Sequence, residues 1–555
     1  MFPIAQIEGI GHVIKELNLS ENEKLDEVFV LAKNNIDLKS QKSNLKLQET
    51  EIPERINLTR KNSFMFKSWK KDDSPLLPLF QYEKNINENA KLWIHTNSIA
   101  ERINFNDKNL FEFFNSNFGS FLLSDRWRNF LSQELLNLSK FEVGKINKGI
   151  SLCLEISNNF DIVDWSFHLT EVNCVAIIDN KVLDAIYKNN KKSRITSRIL
   201  KPIKDYLEEI SNILEISQKF RENQISKGIC EINKEPNTLD LLEEFYFHKP
   251  ASYDCDYVEP LNFNDIQTFI SPILFEADSI WFQHSSNLKI LNANYLTLGS
   301  SKVNVNEIIK NTQLLESDLE LDNSGNLSLD KLLNVCGEDN KKRIINKYLI
   351  NNLSKNIANI SKNFSEENGH KSLISPWTMP SIDYINLINQ YSLFSMFKNA
   401  KRSRKGSKEV NISKKDSWNH VNWTLFNASH SKLLNNLFNE VLLDKFNLYK
   451  SKYELFRSNY INIKRIREAE KLIGESFKGL IITVQSYGFF VELPNLYIEG
   501  LVHVSTLNDD WYEYRSRQNL LVGRKSKNTF RVGDLIQIKI IKVDILKYQI
   551  DLEIT

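Results

Sequence analysis

The sequence is poor in the residues that crosslink or punctuate a chain: its 555 residues include 5 cysteines, 12 prolines and 17 glycines. The cysteines (Cys153, Cys174, Cys230, Cys255 and Cys336) are scattered, with no C-x-x-C pair. That spacing argues against structural zinc and against a disulfide framework, and favours a reducing compartment. A dominant sign of charge is also lacking, since 72 Lys+Arg face 70 Asp+Glu. Any nucleic-acid affinity must therefore come from local patches. No apolar run approaches the roughly eighteen residues of a membrane span. MFPIAQIEGIGHVIKELNLS at the start lacks the basic opening and long apolar core of a signal peptide. These absences predict a cytoplasmic protein with no membrane partner. Phosphate-loop and dinucleotide fingerprints are missing, as is a G-x-S-x-G context around ASHS at Ala428.

What is present is mostly apolar patterning, with 41% hydrophobic and 26% charged residues, the balance of a globular protein. The length suits two to four domains. Residues 1–50 read as a helical segment and linker, with amphipathic helices around Ile7–Leu17 and Asn22–Lys33. Residues 51–397 mix strands and helices without a regular βαβ rhythm. Leu92–Ser98 is a strand, Gly149–Val172 a hairpin with an SNN turn, and Leu207–Asn223 and Ile266–Gln283 are helices by period. HKPASYDCDYVEP (His248–Pro260) gathers His, Cys and acids but reads as a polar loop. Residues 398–473 open with a basic stretch in which Lys401–Lys415 holds seven cations and one acid, Glu409. This stretch is either a solvated loop or an RNA-phosphate contact. One or two helices over Ser429–Arg467 follow.

The most regular stretch is 474–555. Period-two alternation marks Gly479–Val484, Gly488–Leu493, Gly500–Val504, Leu535–Val543 and Gln549–Ile554, with turn residues between them. Five short strands in about eighty residues predict a small closed barrel of the OB type. The fold class is therefore α+β: a mixed domain followed by a five-stranded OB-fold barrel. Such barrels bind single strands with aromatic platforms for bases and cations for phosphates. Tyr487, Phe489 and Phe490 flank the second strand, with Phe489 read as core, and His503 sits on the third. Arg515, Arg517, Arg524, Lys525, Lys527 and Arg531 form a run of six cations with no acid between them.

GESFKGLIITVQSYGFFVEL, IEGLVHVSTLNDDWYEY, LVGRKSKNTFRVGD and IKVDILKYQIDLE resemble the ribosomal S-one type RNA-binding domain. More narrowly, they resemble the version that ends exoribonucleases of the RNase II / RNase R family. The resemblance implies that Tyr487, Phe490 and His503 are base-stacking positions, and that Asp544 and Lys547 lie on a loop that helps hold the strand. Upstream, RINLTRKNSFMF, LWIHTNSIAERI, SQKFRENQISKG and ISPWTMPSIDYINLINQYSLF are similar to segments of that family's catalytic RNB domain. The family holds magnesium with a D-x-x-x-x-x-D-x-D-D cluster. Laid ungapped from FMF, its four positions fall on Lys67, Asp73, Pro75 and Leu76, with Asp72 beside them. The alanine-aspartate after LWIH corresponds to Thr96-Asn97-Ser98, and the arginine pair after Ser375-Pro376 to Thr378 and Met379. A cation at Lys67 repels a metal, and one or two carboxylates cannot assemble a two-metal site.

The expectation is a pseudonuclease that binds single-stranded RNA, with possible RNA-processing proteins as partners and no cofactor. The alternative is an active magnesium-dependent 3′→5′ exoribonuclease whose ligands come from Asp72, Asp73, Asp107 or Asp383. A second alternative is a protein-interaction scaffold.

Overall fold

The computed structural model describes chiefly residues 54–226, 266–296 and 373–555, with short breaks, together with 25–36, 45–48 and a few short strands. The loop 248–260, Arg404, Lys405, Lys408 and Arg517 lie outside the described residues.

The helix expected around Ile7–Leu17 is not found over its described residues. Ile4–Ile7 pairs antiparallel with Ile10–Val13. Gly9 and Gly11 disfavour a helix there. The second expected helix is present as α1 (Asp26–Lys33), with Asp26 and Glu27 in its first turn and Lys33 in its last, matching the helix dipole.

A six-stranded sheet follows. Its strands are β1 (Ile56–Asn57), β2 (Ser63–Phe66), β3 (Leu79–Glu83), β4 (Ala90–Asn97), β5 (Ile146–Ile156) and β6 (Ile162–Ile178), in the order β1-β6-β2-β3-β4-β5. β6 also pairs with β5 along eleven positions, so the pairing returns on itself through five strands. One face carries Phe64, Phe80, Leu92, Ile94, Leu152 and Phe167, all within the main buried cluster. The opposite face carries a polar chain. Ser63 Oγ donates to Gln81 Oε1 (3.2 Å), His95 meets Gln81 Oε1 (3.3 Å) and Ser151 Oγ (2.8 Å), and Ser151 meets Thr170 (2.6 Å). Burial pushes His95 down to about 3, so it is neutral at physiological pH.

Helices α2 (Leu207–Ser226), α3 (Ile266–Asn287) and α4 (Tyr384–Asn399) cover the apolar face. α4 is buried from Tyr384 through Met396, and Asp383 caps its start by accepting from Asn386 N at 2.8 Å. Ala428–Leu437 forms a short helix, and α5 (Glu440–Glu470) then runs for 31 residues towards the C-terminal barrel.

That barrel is closed by five strands: β7 (Ser476–Gln485), β8 (Gly488–Leu493), β9 (Ile498–His503), β13 (Leu535–Asp544) and β14 (Gln549–Ile554). Between β9 and β13 lies a three-stranded flap of β10 (Tyr512–Arg515), β11 (Leu520–Gly523) and β12 (Thr529–Arg531). The barrel interior, including Ile481, Phe489, Val491, Val502, Ile538 and Leu552, joins one buried cluster with Phe29 and Val30 of α1 and Phe456, Ile461 and Ile466 of α5. Asp26, fully buried, accepts two hydrogen bonds from Arg467 of α5 at 2.6 and 2.8 Å, with Lys464 at 3.3 Å. On the barrel side, Lys33 lies 3.8 Å from the centre of the Tyr548 ring. α1 thus fastens the barrel to the helix that leads into it.

Candidate nucleic-acid interface

The aromatic residues named from the sequence meet at the turn between β7 and β8. Tyr487 and Phe490 are perpendicular, with ring centroids 6.3 Å apart, while Phe489 is fully buried against Phe530 at 4.8 Å. Gly488 makes this arrangement possible. It pairs with His503, and a side chain there would meet Val502 O at 2.2 Å in a backbone with φ +151°. Its geometry sets Tyr487 beside Phe490 and brings His503 of β9 level with the same turn, where Val504 N–H bonds Tyr487 O at 3.0 Å. Tyr487 and His503 are exposed. Ser505 N–H donates to His503 Nδ1 at 3.2 Å, so the neutral ring carries its proton on Nε2. Exposed rings fixed on a strand edge are what base stacking requires.

The cations sit on the flap. Tyr514, Leu521 and Phe530 pair level with one another and face the barrel, where Phe530 stacks on Phe489. Side chains alternate along a strand, so the level row Arg515, Leu520 and Arg531 faces outward. Arg515 and Arg531 are exposed and stand two strands, about 10 Å, apart. Arg524, Lys525 and Lys527 are exposed on the β11–β12 turn. Asp510 organises that turn by accepting from Lys525 N, Ser526 N and Ser526 Oγ at 2.7 to 2.9 Å. These bonds, Ser526 N–H foremost, hold its carboxyl down at about 2.

Sequence reasoning missed Trp511. It is 72% exposed, and its carbonyl accepts from Arg524 N at 3.0 Å, so an open indole stands beside the basic turn. The signal was available: a large aromatic directly after two aspartates, at a strand start. Asp544 caps its own loop, accepting from Leu546 N and Lys547 N at 3.1 Å, and leaves Lys547 exposed.

The RNB-like centre is arranged differently. Lys67 pairs with Asp72 at 3.0 Å, which holds the Asp72 carboxyl below its usual range. Asp73 accepts from Trp127 N at 2.9 Å, and its carbonyl accepts from Asn129 at 2.8 Å. Leu76 is buried, with its N–H bonded to Ser381 Oγ at 2.7 Å. Thr96 bonds Ile150 O, Asn97 bonds Ser139 O, and Gln390 of α4 bonds both Thr96 and the Asn97 carbonyl. Ser98 bonds Glu101, which also pairs with Arg55. Thr378 is buried and bonds Asp278, whose carboxyl is raised by burial. Met379 packs beside the second buried cluster.

A magnesium ion of the RNB kind needs several free, converging carboxylate oxygens. The residues at these positions do not fit it, since Asp72 neutralises a lysine, Asp73 caps a backbone and the other two positions are apolar. Among the described residues, no three His, Cys, Asp or Glu side chains gather as a metal would require. Asp383 is engaged at the start of α4.

The mixed domain with its closed C-terminal barrel defines an RNA-binding class of nuclease-like proteins. Residues 55–399 match the RNB domain and residues 470–555 the S1 RNA binding domain. The chain belongs to the RNB family of ribonucleases II and R. Among curated proteins it is 33% identical over 213 residues to the acetazolamide conferring resistance protein zam of Synechocystis, a match covering 37% of this chain and 27% of that one. It is 42% identical over 91 residues to ribonuclease R 1 of Lactococcus lactis, covering 16% of this chain and 11% of the enzyme. The matches thus span well under two thirds of these relatives. The fold resembles Mycoplasma genitalium RNase R, solved in complex with ribose methylated single-stranded RNA, at a TM-score of 0.71 and 15% identity, covering 96% of this chain and 78% of that one. It also resembles yeast Ssd1, described as a pseudonuclease, at a TM-score of 0.60 and 14% identity, covering 92% and 59%. No helix among the described residues is long and apolar enough to cross a membrane.

Proposed function

We propose that this chain binds single-stranded RNA through its barrel and flap and acts in RNA processing or turnover without cutting RNA itself. The observation that carries the reading is the engagement of Lys67 and Asp73. The first position of the metal cluster holds a cation already paired with Asp72, and the one retained carboxylate caps Trp127 N–H. A cation there repels Mg²⁺, and a carboxylate bonded to backbone must give up that bond to ligate. Yeast Ssd1, described as a pseudonuclease, offers a precedent for this fold without nuclease activity. On the binding side, Tyr487, Phe490 and His503 supply stacking surfaces. Arg515, Arg524, Lys525, Lys527, Arg531 and Lys547 supply phosphate contacts, and Trp511 adds a further aromatic beside the turn cations. A reducing, cytoplasmic setting is part of the proposal, on the scattered cysteines of the sequence.

Incubating the full chain with end-labelled single-stranded RNA and magnesium tests it. The expected result is a mobility shift with RNA of unchanged length. Stepwise shortening abolished by Asp73→Ala overturns the pseudonuclease reading in favour of the exoribonuclease. Absence of RNA affinity, or affinity indifferent to salt, overturns the RNA reading and favours a scaffold for RNA-processing proteins.

A further inference from the structure

Helix α5 buries Leu442, Leu443, Phe446, Phe456 and Tyr460 on one side. On its outer side Val441, Leu448 and Leu455 are 60%, 57% and 54% exposed. Their spacing of seven returns each to nearly the same direction, with a drift of about 20° per heptad. The three therefore form one stripe about 21 Å long. Three branched aliphatic side chains in register are an unusual load for a solvent face, and a heptad stripe is the pattern a second helix reads.

Charges beside the stripe identify the partner. Asp444 and Lys452 are both exposed and have no ion pair among the described residues. Lys445, by contrast, is drawn onto its own chain by Asn115 Oδ1 at 2.7 Å. The pattern is symmetric about Leu448: Val441 and Leu455 lie seven residues to either side, and Asp444 and Lys452 four. We propose that the stripe seats a second copy of this chain, packed antiparallel about a two-fold axis at Leu448. In that alignment Leu448 meets its counterpart, Val441 meets the second copy's 455 position, and the opposite charges at 444 and 452 come level twice. A parallel alignment sets like charges against each other at both positions, which destabilises it. The self-complementary order of signs is what an isologous contact needs and what an unrelated partner does not.

The arrangement has a consequence for the barrel, which rests on the RNA reading above. The barrel packs on α5 between Phe456 and Ile466, about 12–27 Å beyond Leu448 along the helix, so the two barrels lie on opposite sides of the two-fold axis with their α5 contacts roughly 24–54 Å apart. One long RNA can then engage both, with affinity raised by effective concentration, while a short oligomer engages one.

Sedimentation velocity on the full chain over a concentration series tests the contact without RNA. A dimer that dissociates on dilution is expected. Leu448→Asp gives a monomer with an unchanged thermal melt, since the side chain is exposed. Asp444→Lys and Lys452→Asp each weaken the dimer by about tenfold, and the double exchange recovers it because opposite signs face again. A monomer at every concentration, a dimer indifferent to Leu448→Asp, or a double variant as weak as the singles overturns the proposal. If dimerisation holds but long and short RNA bind alike, the two-barrel consequence fails while the contact stands.

Discussion

The barrel and the RNB-like domain use polar residues in opposite ways. On the barrel, Tyr487, His503, Trp511 and the flap cations are exposed, held through their backbones and turns and, for His503 and Arg524, by surface contacts to Ser505 and Glu513. In the RNB-like domain, Thr96, Asn97, Ser98, Thr378 and Asp278 are buried and bonded to one another, to backbone or, for Ser98, to buried Glu101. A side chain that is to meet a ligand must be exposed and held, whereas one buried with its bonds satisfied can only be removed at a cost. The contrast separates the two regions physically: Thr96, Asn97, Ser98 and Thr378 are absorbed into the packing, while the barrel's aromatic and basic side chains stay open to a ligand.

If this contrast is right, substitutions inside should harm stability and substitutions outside should harm binding alone. The largest effect is expected for Asp26→Ala, which leaves Arg467 buried without its carboxylate. It should lose about 3–5 kcal/mol in denaturant unfolding, and an effect below 1 kcal/mol breaks the claim that α1 fastens the barrel.

Acid should act next. Burial lowers His95 and His284 to about 3, and His168 to about 4, while an unfolded histidine titrates near 6.5. The unfolded chain therefore binds more protons below pH 6.5, and the histidines' contribution, complete above that pH, is lost as pH falls towards 3. Asp278, raised by burial, works in the reverse sense as pH climbs above its unfolded value. Thermal midpoints measured from pH 7 to 4.5 should fall, and His284→Gln should flatten the fall.

Phe490→Ala and Trp511→Ala should each cost about 1–3 kcal/mol of RNA affinity by fluorescence anisotropy, with the melting temperature unchanged. Trp511→Phe should recover most of the loss. The smallest effect belongs to the cations. Arg515→Ala and Arg531→Ala should each reduce the slope of log affinity against log salt by about 0.7, with little discrimination between RNA sequences.

The barrel was legible because its strands are local and alternate. Gly488–Leu493 and Gln549–Ile554 were read to the residue, and Leu535–Val543 fell one short. Helices around 207–226 and 266–287 were legible for the same reason, having long periodic faces. The first residues misled because the Ile-rich sequence around Gly9 and Gly11 suits either structure on hydrophobicity alone. The curling of β6 back onto β5, and the partners of Asp73 and Asp26, left no local trace. Trp127 lies 54 positions from Asp73, and Arg467 lies 441 from Asp26. The ungapped alignment led to the expectation of a depleted metal cluster; which groups Asp72 and Asp73 bond needed the fold.

The separation between Asp26 and Arg467 also orders events in time. During synthesis α1 emerges hundreds of residues before the helix that neutralises it, at a few to twenty residues per second. For that interval an amphipathic segment with a charge destined for burial has no docking site. The earliest helix among the described residues is thus among the last to be secured, and its capture reports that the barrel has arrived. A truncation that removes α1 would leave Arg467 without the carboxylate that holds it and open the shared core of barrel and α5.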